Sequence, residues 1–143
     1  MSALRLKLSV ARTVAGAVRA SGRGGGTSLP GKLLLRLEPQ AIRELSSRLP
    51  GGSAVISATN GKTTTAAVTS AILQRAGRTL VHNHAGANMA GGIASTLLAA
   101  AGPGRGIAGD TGLFEVDEFW LGAVTQQLQP RAVLLANLFR DQL

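Results

Sequence analysis

The residues best suited to chemistry form one run, Ser57-Ala58-Thr59-Asn60-Gly61-Lys62-Thr63-Thr64-Thr65, which follows a short apolar stretch and precedes a helix-forming one. A glycine lets the backbone approach phosphate oxygens closely, and the amino end of a helix offers unpaired N–H groups. A lysine reaches the terminal phosphates, and a threonine hydroxyl ligates magnesium. Thr59, Asn60, Gly61, Lys62, Thr63 and Thr64 are therefore the candidate nucleotide-binding residues. The general phosphate-loop pattern asks for another glycine where Ile56 stands, so the generic match is incomplete. Gly-Lys-Thr also occurs in ordinary strand-to-helix turns.

Glu115-Val116-Asp117-Glu118 is the second candidate group. Carboxylates at the carboxyl end of a strand stand where ligands bind in open parallel sheets. A plainer reading has Asp117 capping a helix and Glu118 in its first turn offsetting the dipole, which leaves Glu115 on the strand. His82 and His84, one residue apart, are the only histidines, and there is no cysteine. A metal pair made from them alone lacks a third ligand, so hydrogen bonding within the loop is the expected role. In the same loop Asn83 and Asn88 are better ligand candidates.

These residues need elements to position them. Ser53 to Ser57 reads as a buried strand, Thr63 to Arg75 as a helix stopped near Gly77, and Thr79 to Val81 as a second strand. A polar loop from His82 to Gly92 leads to a helix over Ile93 to Ala101. Gly112 to Val116 is a third strand, Glu118 to Gln129 a helix stopped by Pro130, and Ala132 to Ala136 a fourth strand. Alternation of strands and helices predicts an α/β fold with a mostly parallel sheet and helices on both faces. Ahead of it, an amphipathic helix is expected over residues 3–20 and a loop over Ser21 to Gly31, where five of eleven residues are glycine. A short helix opened by Pro39 follows. The chain ends just after an apolar run, and the expectation is a piece of a longer protein.

Residues 1–50 carry a net charge of +7 and residues 51–143 a net +1. The basicity thus belongs to the front segment, where a solvated helix face and attraction to an anionic surface or a phosphorylated substrate are both open. No aromatic residue lies in that segment, so base stacking lacks a platform and nucleic acid is not an expected partner. Arg5, Lys7, Arg12 and Arg19 interrupt its apolar positions too often for a signal peptide, and no apolar run approaches the roughly 20 residues of a membrane span. An integral membrane protein is not expected.

Thr59-Asn60-Gly61-Lys62-Thr63-Thr64 resembles the ATP loop of the Mur ligases and the related folylpolyglutamate synthases, although that family usually has glycines at the positions of Val55 and Ala58. Glu115 matches a glutamate that in Mur ligases helps to hold a second magnesium ion. Asn137 to Gln142 is similar to the family's asparagine-to-aspartate stretch, with Gln142 where most members have a metal-associated histidine. That departure, with Gly24 to Lys32, Asn83 to Met89 and Phe114 to Leu121, resembles the MurT branch.

The resemblance implies a P-loop-containing Mur ligase central domain, incomplete here. Residues 1–50 would be a basic amino-terminal segment and residues 51–143 the first part of the ATP-binding domain. It implies ATP and Mg2+ as cofactors, with Lys62 and Glu115 catalytic, Thr63 and Glu115 on metal, and Asn88 facing substrate. It also implies a GatD-type glutaminase partner supplying ammonia, and amidation of the D-glutamate α-carboxyl in lipid II through an acyl phosphate. The location implied is cytoplasmic, at or near the inner face of the membrane. An amino-acid-adding Mur ligase or folylpolyglutamate synthase, and a non-catalytic nucleotide-binding module, are the alternatives.

Overall fold

A computed structural model of the protein describes residues 6–11, 13, 16, 28–83, 87–102 and 106–137. Expectations for residues 21–27, for His84 and for 138–143, including Gln142, lie outside them. Of the helix expected over residues 3–20, the described residues 6–11, 13 and 16 are helical.

Four strands, β1 (Ser53–Ala58), β2 (Leu80–His82), β3 (Thr111–Glu115) and β4 (Ala132–Ala136), form one sheet in the order β2-β3-β1-β4. Every pairing is parallel, with Val55 opposite Phe114 and Val133, and His82 opposite Leu113. Parallel neighbours need crossover segments, and the helices provide them. They are α1 (Leu29–Leu37), α2 (Ala41–Ser46), α3 (Lys62–Arg75), α4 (Ala90–Ala100) and α5 (Leu121–Leu128). A 3-10 turn, Glu118–Trp120, precedes α5.

Period-two alternation divides the sheet into two faces. Val55, Val81, Phe114 and Val116 meet Leu34, Ile42, Leu45, Leu97 and Val124 from α1, α2, α4 and α5 in the larger core. Ile56 and Leu113 meet Ala66 of α3 in the smaller one, with Leu73 and Leu80 beside them. Helices thus cover both faces, as expected. On α3 itself Val68 and Ile72 are exposed. β4 is an edge strand whose Val133, Leu134 and Leu135 are also exposed. Among the described residues no helix is long and apolar enough to cross a membrane.

Four local expectations are corrected. The loop expected as far as Gly31 gives way to a helix at Leu29, with Pro30 in its first turn, where a missing N–H costs nothing. Pro39 instead lies in the turn between α1 and α2. Helix α4 begins at Ala90 and takes in Gly91 and Gly92. The cause is close packing: a Cβ on Gly31 would collide with Gly91 O and Ser95 N, and Gly31 N donates to Ser95 Oγ at 2.8 Å. Here glycine permits a helix contact rather than breaking a helix. The segment expected to be one helix from Glu118 starts as the 3-10 turn, with Asp117 Oδ1 accepting from Phe119 N at 3.1 Å.

Candidate functional site

β1 stands between β3 and β4, so the loop that leaves its carboxyl end emerges in the middle of the sheet. Ligands of open parallel sheets bind at such carboxyl ends. Gly61 turns the chain into α3 with φ +80°, a left-handed conformation that a side chain disfavours. A Cβ there would meet nothing within 4 Å, so the space over the loop is open. No side chain caps α3. Its amino end, with its partial positive charge, therefore faces that open space. On the β4 side Asn137, its amide nitrogen turned to the loop, donates to Asn60 O at 2.9 Å.

Alternation along β2 and β3 puts His82 and Glu115 on the α3 face. Glu115 is buried, and its Oε2 accepts from Thr63 Oγ1 at 2.9 Å across 52 residues of sequence. A hydroxyl and a carboxylate oxygen side by side form a hard donor set that suits magnesium. Lys62 Nζ donates back to Ala58 O at the end of β1 and lies 3.7 Å from Glu118 Oε2. Glu118 was expected to serve mainly its own helix. Because the chain leaves β3 through a 3-10 turn, this carboxylate comes back against the loop instead. Its own backbone N–H, the Thr59 hydroxyl and Lys62 hold its carboxyl below the usual glutamate range.

Asn83, suggested by the sequence as a ligand residue, is fully buried and commits its amide to the framework. Its Nδ2 donates to Ala87 O at 2.9 Å and Glu115 O at 2.8 Å, while Oδ1 accepts from Glu115 N at 2.8 Å. The side chain thereby continues the β2 ladder beyond the strand's end and fixes the backbone of Glu115. Asn88 stands half-buried nearby, its backbone oxygen accepting from Asp117 N at 3.0 Å. His82 Nδ1 is 2.7 Å from Leu113 O, and its Nε2 is 3.8 Å from Glu115 Oε1. Alternation places both residues on one face of the sheet, and the pairing of β2 with β3 brings them together. Among the described residues no three His, Asp or Glu side chains converge, so a cation here would complete its shell with hydroxyl, water or phosphate oxygens.

No family model matches the chain. Two curated proteins named "Lipid II isoglutaminyl synthase (glutamine-hydrolyzing) subunit MurT" are similar to it. The Streptococcus pneumoniae (strain ATCC BAA-255 / R6) protein is 36% identical over 122 residues, 84% of this chain and 26% of that protein. The Staphylococcus aureus (strain N315) protein is 33% identical over 136 residues, 95% of this chain and 30% of that protein. The chain thus spans less than a third of the length of these relatives. With similarity sustained over 84–95% of its own residues, the chain belongs with the MurT-type sequences.

Proposed function

We propose that the protein contributes the phosphate-binding half of an ATP-dependent carbon–nitrogen ligase that amidates the D-glutamate α-carboxyl of lipid II in peptidoglycan biosynthesis. The observation that carries this reading is the junction of two distant segments: Thr63, at the amino end of a helix without a side-chain cap, bonded to the strand-end carboxylate of Glu115. The relatives' name, a glutamine-hydrolysing lipid II isoglutaminyl synthase subunit, supports lipid II as substrate and glutamine as the ammonia source, and the family resemblance adds a GatD-type glutaminase as the partner. In this reading residues 51–143 are the first part of a Mur ligase central domain of the P-loop type, and residues 1–50 a basic segment in front of it. That segment would face a phosphorylated lipid substrate at the inner membrane surface.

Bound ATP would supply the phosphoryl group that turns the carboxylate into an acyl phosphate, and Mg2+ would screen the charges of the two anions. The chain's own residues do the rest. Thr59, Asn60, Gly61 and Thr64 shape a loop into which phosphate oxygens fit, with N–H groups directed at them. Lys62 exchanges Ala58 O and Glu118 for the transferred phosphoryl and stabilises the charge that develops there. Thr63 and Glu115 present oxygens to the cation, and Asn83 keeps Glu115 from drifting. Asn88, whose backbone oxygen accepts from Asp117 N, would meet the peptide stem. Ammonia then displaces phosphate at the acyl carbon.

Lys62→Ala in the complete protein tests this. Lys62 contacts the loop rather than either apolar core. ATP-dependent amidation should fall by about a thousandfold or more, with the melting temperature nearly unchanged. A rate within about twofold of the parent would refute the assignment of this loop to phosphate.

A further inference from the structure

The geometry points to His82 as a nitrogen donor to the divalent cation at Thr63 and Glu115, giving the site a preference for Mn2+-like cations over Mg2+. The inference rests on reading that pair as a cation site and adds a ligand, and with it a metal selectivity.

Three observations carry it. Leu113 O can only accept, so the His82 nitrogen 2.7 Å away, Nδ1, is the protonated one. With Nδ1 engaged in this way, Nε2 on the other side of the ring is the nitrogen left for a cation. A carbonyl on the far nitrogen is the usual outer partner that fixes the ring of a metal-binding histidine. Second, Nε2 stands 3.8 Å from Glu115 Oε1. That gap is too long for a hydrogen bond. Two donors bonded to one cation at about 2.1 Å stand about 3.0 Å apart when cis in an octahedron and about 4.2 Å when trans, so 3.8 Å is a separation that a cation can bridge with small adjustment.

Third, the carboxylate is divided between two partners. Oε2 takes the Thr63 hydroxyl, while Oε1 faces the imidazole. His82 and Glu115 stand at the ends of neighbouring strands on one sheet face, and Asn83 pins the backbone of Glu115. Donors held this firmly are preorganised for one ion. A site of oxygens alone suits magnesium, whereas an imidazole nitrogen raises affinity for transition cations much more than for magnesium.

The test is electron paramagnetic resonance of Mn2+ bound to the complete protein with ATP. The parent should show a nitrogen coupling that changes on labelling with 15N-histidine, and Mg2+ should displace Mn2+ poorly. His82→Gln should lose the coupling and bind Mn2+ about tenfold more weakly, while Mg2+ affinity changes little. The labelled parent needs no substitution, so misfolding of the variant cannot mask the result. ATP-dependent Mn2+ binding without histidine coupling would overturn this inference and leave the ligase reading standing. No ATP-dependent Mn2+ binding would overturn both.

Discussion

Replacing Asn83 by alanine should loosen the candidate site from beneath without touching any group expected to contact ligand. The side chain is fully buried and makes three hydrogen bonds of 2.8–2.9 Å, two of them with the backbone of Glu115. A hydrogen bond contributes about 0.5–1.5 kcal/mol net, and a buried polar group left unpaired costs about 1–3 kcal/mol. Alanine would orphan Glu115 N–H and leave the oxygens of Glu115 and Ala87 without this donor. The combined loss should be about 3 kcal/mol. A tenfold change corresponds to about 1.4 kcal/mol, so amide hydrogen exchange in peptides covering residues 111–116 should accelerate by about two orders of magnitude. Mass spectrometry reads this in the complete protein, whatever the folding of other parts. Asn83→Asp is the sharper variant: it keeps an acceptor for Glu115 N but sets a carboxylate oxygen against two carbonyls, and should be at least as damaging at neutral pH. Exchange in Asn83→Ala within about threefold of the parent would refute the idea that this amide holds β3 in place.

Gly31→Ala should cost about 1–3 kcal/mol or more, because the added methyl meets helix backbone in α4 that cannot move aside; thermal melting measures it, and an unchanged melt would contradict the close contact of α1 with α4. Glu115→Gln should lower amidation by orders of magnitude with little change in melting, whereas Glu118→Gln should keep the rate within about tenfold, since Glu118 touches Lys62 and Thr59 while Glu115 bonds Thr63; steady-state rates of both variants decide, and reversed outcomes would exchange their roles. Acid should weaken the fold. The Lys7 side chain, bonded at 2.9 Å, lowers the Glu38 carboxyl from its ordinary 4.5. The Thr111 hydroxyl, then Thr79 N–H, lowers Asp110 from 3.8. A lowered folded value means stability that is present above the ordinary value and lost as pH falls through the folded one. The melting temperature should therefore drop below about pH 4.5, and less steeply in Glu38→Gln.

The sequence by itself determined the chain order of the sheet-forming units and the strand-to-helix loop at Thr59 to Lys62. Ser53 to Ser57 reads as a short buried strand, and the glycine and lysine after it stand where the chain turns into a helix. The stop at Gly77 and the strand Ala132 to Ala136 were equally local, and the structure has both. Glycines in α1 and α4 misled, because their use depends on a second helix 60 residues away, which no local pattern contains. Only the tertiary structure decided which strands are neighbours, and hence that Glu115 meets Thr63 and His82 while Glu118 turns back to Lys62. Alternation along a strand says which side a residue faces. Which partner waits on that side is set by strand order, and strand order is a property of packing.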